Sequence, residues 1–263
     1  MKKGPYPISA KKGPYPFSEE HYSYTVYADE TTARTFDARR FGGPIGALVA
    51  EEQARVLLEL VGSTRDQTIL DVGTGTARAA LLMARGGARV TAVDASEEML
   101  AIARRRAADE HLSIQFLRGD AHRLEFDDRA FDVATSLRVL MHAPDWRRCV
   151  AELCRVADKL VVVDYPSATS FALLEAVARR VTYACGARTE PYRVLSGSAV
   201  ARALRLGGFQ IRSVHRQFFL PIALHKAIGS TRFTIQSRKL SSRLGLLRLF
   251  GSPVTVVAER CVF

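Results

Sequence analysis

The segment Ile69-Leu70-Asp71-Val72-Gly73-Thr74-Gly75-Thr76-Ala77-Arg78 combines an acid, two spaced glycines and a following helix-prone stretch. Gly73 and Gly75 allow a tight turn and close backbone approach to a ligand, and a helix start behind them offers free N–H groups. Alone, this is also the ordinary link from a strand to a helix. Asp94, nineteen residues beyond Gly75, ends a second apolar run, where a carboxylate can accept from the 2′- and 3′-hydroxyls of a ribose. It also reads as an acidic charge ahead of a helix N-terminus. Asp120, in Gly119-Asp120-Ala121, follows a third run and reads equally as a turn residue. Acids at three successive strand ends point together to a nucleoside-type ligand.

The loop chemistry narrows that ligand. A dinucleotide fingerprint asks for a third glycine, and Arg78 stands at that position. Asp71 would set negative charge against a pyrophosphate. A phosphate loop of the GK[ST] kind is absent. S-adenosyl-L-methionine (AdoMet) carries no phosphate, and its cationic amino group suits an acidic loop. On the acceptor side, His142 in Leu140-Met141-His142-Ala143-Pro144 is the candidate general base, and reads also as a hydrogen-bonded loop histidine. Tyr165 is the candidate substrate-pocket residue, with core packing as its other reading.

The elements that must position these residues alternate. Apolar strands are expected at Thr68–Val72, Ala88–Val93, Ser113–Arg118, Phe131–Leu137, Lys159–Asp164, Phe209–Phe219 and Pro253–Glu259. Helices are expected at about Ile45–Val61, Arg78–Arg85, Ser96–Ala108 (Ser96 as N-cap), Asp145–Val156, Ser170–Ala184 and Ser198–Leu206. This pattern predicts an α/β fold: a Rossmann-like, seven-stranded, mostly parallel sheet with helices on both faces and an antiparallel last strand. Residues 1–44 form an arm and cofactor-covering segment. Residues 45–263 form one domain, with a cap at about 166–206 and an insertion at about 221–250.

Bulk properties fit such an enzyme. At 48% hydrophobic residues, 263 residues can bury a full core. Cys149, Cys154, Cys185 and Cys261 form no CxxC pair, so no metal site is expected and a cytoplasmic setting is. No signal peptide is visible after Lys2-Lys3, and no apolar run approaches the ~20 residues of a membrane span. Lys2-Lys3-Gly4-Pro5-Tyr6-Pro7 recurs as Lys11-Lys12-Gly13-Pro14-Tyr15-Pro16, a flexible arm by local duplication. The net charge of +11 has a location: Pro191–Ala258 holds eleven basic residues and no acid, and the remaining 27 basic residues match the 27 acidic ones. That face reads as a plain solvated surface, as peripheral contact with an anionic membrane, or, with less support, as contact with nucleic acid.

Leu70-Asp71-Val72-Gly73-Thr74-Gly75-Thr76, Val93-Asp94-Ala95-Ser96, Gly119-Asp120-Ala121 and Phe131-Asp132-Val133 together resemble the class I AdoMet-dependent methyltransferases. Within them the chain is most similar to the ubiquinone/menaquinone-biosynthesis and small-molecule branch, over roughly residues 45–165. The resemblance implies that Asp71, Gly73, Thr74 and Gly75 hold the methionine and ribose part. It gives Asp94 the ribose hydroxyls, Ala95 the neighbouring adenine contact, and Asp120 and Ala121 the adenine amino end. Leu137 and Arg138 would lie near the sulfonium, and Tyr27 and Arg40 in a segment that closes over the cofactor. A Lys-Pro-Gly-Gly turn usual before the fifth strand is replaced by Val156-Ala157-Asp158-Lys159, and a usual Leu-Pro-Phe by Leu124-Glu125-Phe126. The implied function is methyl transfer to a small-molecule or lipid-like acceptor. Alternatives are a nucleic-acid or protein acceptor, or a non-catalytic nucleotide-binding scaffold.

Overall fold

The computed structural model describes residues 29–185 and 192–261. The duplicated arm and Tyr27 lie outside the described residues. All seven expected strands form: β1 (Thr68–Val72), β2 (Arg89–Asp94), β3 (Ile114–Arg118), β4 (Phe131–Ser136), β5 (Ala157–Tyr165), β6 (Phe209–Phe218) and β7 (Ser252–Arg260). They make one sheet in the order β3-β2-β1-β4-β5-β7-β6. The first five are parallel, and β7 runs antiparallel between β5 and β6. The chain leaves β1 toward one edge and returns to β4 beside it, which opens a crevice at the carboxyl ends of the strands.

Strand alternation sorts the side chains onto two faces. On one, Leu70, Val161, Val163 and Val256 pack with α5 (Trp146–Val156) and α7 (Gly197–Leu206). On the other, Ile69, Val162 and Val257 pack with α2 (Gly43–Val61), α3 (Arg78–Arg85) and α4 (Glu97–Asp109). Val161, Val162 and Val163 have no exposed surface, as a central strand covered on both faces requires. Each such side chain contributes about 1.5–3 kcal/mol by burial. Ser96 caps α4 as expected, its Oγ accepting from Met99 N at 3.0 Å.

The N-terminal segment holds a helix that the sequence pattern did not show. In α1 (Glu30–Phe41) the only buried residue is Ala33, so it has almost no apolar periodicity to read. The Asp29 carboxylate caps it, accepting from Thr32 N at 2.7 Å. Gly43, at φ +73°, then turns the chain into α2. After β5 comes α6 (Ala172–Ala184); between β6 and β7 lie three further helices, α8 (Ile222–Ile228), α9 (Thr231–Arg243) and α10 (Leu246–Phe250). The helix α6 follows the carboxyl end of β5, and α8, α9 and α10 join the end of β6 to the start of β7, all leaving the same edge of the sheet as the glycine loop.

Candidate cofactor and active site

A cavity of about 230 Å³ opens at that edge, and its wall includes the glycine loop, the ends of β2 and β3, and the loop after β4. The ten residues expected to contact the cofactor (Asp71, Gly73, Thr74, Gly75, Asp94, Ala95, Asp120, Ala121, Leu137 and Arg138) and the candidate base His142 all line it. Tyr165 does not. It is buried in the face packed by α5 and α7, and alternation along β5 turns its neighbour Asp164 into the cavity instead.

The glycine loop is held from within. Gly73, at φ +70°, donates its N–H to Val93 O at 2.7 Å. A Cβ there would lie 2.1 Å from Val139 Cγ2, so the loop and the turn after β4 touch at a residue that has no side chain. The Asp71 carboxylate is buried and accepts from Thr74 Oγ1 at 2.7 Å and Thr135 Oγ1 at 2.8 Å. Burial raises its proton affinity against those hydroxyls. Asp94 accepts from Gly75 N at 2.7 Å and Ser96 N at 2.9 Å, tying the first loop to the second. Burial, then the negative charge of Asp71, raise its proton affinity as well. Asp120 is buried, and its Oδ1 accepts from His122 N at 2.9 Å and meets His122 Nδ1 at 2.6 Å. His122 also lines the cavity; two residues past the strand-end acid, it carried no spacing signal.

A roof closes over this acidic floor. From α1, Phe36, Arg40 and Phe41 line the cavity. Asp37 accepts from Thr76 Oγ1 at 3.0 and 3.1 Å and from Arg106 Nη1 at 2.6 Å. The same Arg106 nitrogen donates to Thr76 O at 3.0 Å, and the Arg78 guanidinium stacks 3.4 Å from the centre of the Phe41 ring. Arg78, standing where a dinucleotide fold has glycine, thus helps hold the roof.

The far wall is different. Asp164 is buried at the end of β5, opposite Thr255 of β7, and both line the cavity. Its Oδ1 accepts from the backbone N–H of Arg138, a residue at φ +65°. Burial pushes the Asp164 carboxyl up to about 7, moderated by the positive charge of Arg40. Arg138 Nε is buried without a hydrogen-bond partner among the described residues. Among the described residues no group of three His, Cys, Asp or Glu side chains could hold a metal.

Comparison with known proteins agrees with this geometry. Residues 70–160 match the family described as "Methyltransferase domain". A demethylmenaquinone methyltransferase of Thermus thermophilus is 37% identical over 117 residues, 43% of this chain and 53% of that protein. The chain spans about half the length or less of the first curated relatives it matches. Magnesium protoporphyrin IX methyltransferase from Synechocystis PCC 6803, solved with bound SAH, superposes with a TM-score of 0.60 at 17% identity, covering 90% of this chain and 99% of that one. Geranyl diphosphate C-methyltransferase from Streptomyces coelicolor gives 0.61 at 18% identity, covering 80% and 79%. Residues 70–160 thus match the model of a methyltransferase domain, and they lie at the heart of a Rossmann-like fold.

Proposed function

We propose that this protein is an AdoMet-dependent methyltransferase acting on a small-molecule, lipid-like acceptor. The observation that carries the reading is a single cavity holding Asp71, Asp94 and Asp120 at the ends of β1, β2 and β3. The donor set fits AdoMet. Two of these carboxylates have their proton affinity raised by burial, so a cationic ligand lowers their cost where a phosphate would raise it. Gly75 has open space where a side chain would stand.

AdoMet, when bound, supplies a methyl group on a positively charged sulfur. The chain supplies placement and dryness: residues of α1 and the loop Leu137-Arg138-Val139 both line the cavity. Holding two reactants collinear in such a space is a large part of the rate in a displacement of this kind. Where the acceptor must lose a proton, His142 and Asp164 line the cavity as groups that can take it. Two names support a lipid-like acceptor: the Thermus relative is named for demethylmenaquinone and the Streptomyces neighbour for geranyl diphosphate.

Calorimetric titration with AdoMet and with NAD tests the cofactor. We expect AdoMet to bind and NAD not to, and Asp94→Ala to weaken AdoMet by about tenfold or more, since two backbone N–H groups lose their acceptor. NAD binding alone, or an unchanged Asp94→Ala variant, rejects the reading. Methyl-labelled AdoMet incubated with demethylmenaquinone, then with a total lipid extract, tests the acceptor class. Label appearing only in nucleic acid or protein rejects it.

A further inference from the structure

Apart from Phe233, which packs against the buried His225, the helix α9 is built inside out. In a surface helix the apolar stripe normally faces the core and the polar residues face water. In α9 the buried residues are Thr234 and Ser241. Arg238 also turns inward, 2.9 Å from the Glu52 carboxylate of α2. Outward stand Ile235 at 44% exposed and Leu240 at 58%, with Leu244 of the C-cap at 63%. Arg232, Lys239 and Arg243 are exposed too, spaced by two turns and then one, so they form one stripe with Ile235 on one flank and Leu240 on the other. Among the described residues none of these three cations makes an ion pair.

The feature extends past one helix. Of the seventeen large hydrophobic side chains exposed among the described residues, all but Leu58 lie after residue 170. The helix α10 packs beside α9. Its Phe250 meets Phe219, with ring centres 6.4 Å apart, and Phe219 meets Phe171 at 5.5 Å. Phe171 is the N-cap residue of α6, which buries Ala176 alone and exposes Leu174, Val177 and Val181. The part of this run that lies within Pro191–Ala258 has no acid to repel an anionic surface, and in α6 the one acid, Glu175, is paired with Arg179 at 3.0 Å.

Apolar side chains flanking a cationic stripe are the two components that an anionic bilayer surface rewards together. Water rewards only the second, and an apolar protein partner only the first. We infer that the outward faces of α9, α10 and α6 dock the protein on an anionic lipid membrane, at the edge of the sheet that carries the cavity. The inference goes beyond the methyltransferase reading and does not depend on it.

Flotation of the full chain with vesicles decides it. Phosphatidylcholine vesicles containing about 30% phosphatidylglycerol should carry the protein upward, and pure phosphatidylcholine vesicles should not. Raising salt from about 0.05 M to about 0.5 M should release most of it. The variant Arg232→Gln/Lys239→Gln/Arg243→Gln should partition about a hundredfold more weakly, with three surface cations lost. Leu240→Ser/Leu244→Ser should also weaken partitioning, while keeping its salt dependence. Circular dichroism and AdoMet titration show that each variant is folded. No flotation with the anionic vesicles overturns the inference, as does equal flotation of either variant. Self-association by light scattering that both variants abolish, without vesicle binding, also overturns it and assigns the face to a second copy. If the wild-type chain floats and does not bind AdoMet, the enzyme reading fails and the membrane inference stands.

Discussion

Gly73 is where backbone conformation and packing coincide. Its φ of +70° costs an L-residue about 1–2 kcal/mol. The contact with Val139, at 2.1 Å from a hypothetical Cβ, adds an overpacking penalty of about 1–3 kcal/mol. Gly73→Ala should therefore lower stability by roughly 2–5 kcal/mol, read by urea unfolding, and weaken AdoMet binding because both walls of the cavity shift. Adding Val139→Ala should return the packing part and leave the backbone part. A double variant no better than Gly73→Ala would show that the contact with Val139 contributes nothing. Gly75, also at positive φ, meets no atom within 4 Å, so the same substitution there carries only the backbone penalty.

At the scale of elements, the roof α1 is the least self-sufficient part of the site. Buried contacts scarcely hold it; Asp37, bonded to Thr76 and Arg106, does. Asp37→Ala should speed hydrogen exchange over residues 30–41 and weaken AdoMet binding by about tenfold, leaving global stability nearly unchanged. Unaltered exchange in that helix would refute the clamp. Such a helix is hard to read from sequence for the same physical reason: Glu30–Phe41 has no apolar face, so no period marks it. The strands and helices of the sheet core were legible because β1, β4 and β5 are apolar runs and Ser96 is an ordinary cap. The convergence of Asp71, Asp94 and Asp120 on one cavity was legible because the fold fixes their place at strand ends. The acceptor wall was not. Whether Asp164 or Tyr165 faces the cavity turns on strand phase, and a strand buried on both faces has no polar alternation to reveal it. The outward face of α9 was hidden similarly, since its arginines and leucines show no sidedness until Thr234 and Ser241 are seen inside.

Across the whole molecule, the sheet divides the labour. The strands β1, β2 and β3 carry the carboxylates assigned to AdoMet, while β5 and β7 carry Asp164 and Thr255, and the helices beside them carry the uncompensated positive charge. Asp164 couples this second half to pH. Its carboxyl, pushed up to about 7 by burial, ionises near 3.9 in the unfolded chain. Between those values the native state holds a proton that the unfolded state has lost. The contribution of this group to stability therefore falls as pH rises from about 4 to about 7, and the cost is complete above 7. Asp164→Asn keeps an oxygen to accept from Arg138 N–H and removes the buried charge. The variant should match the wild type near pH 4 and become progressively more stable than it up to pH 8, by at most a few kcal/mol. Thermal unfolding across that range measures the gap, and a gap that stays constant with pH would refute the titration. The same substitution should lower the turnover of a proton-losing acceptor and erase any rise in kcat centred near pH 7, while AdoMet affinity holds. Greater stability at neutral pH joined to lost turnover is what a buried carboxylate kept for chemistry produces, because its ionised form is the costly one.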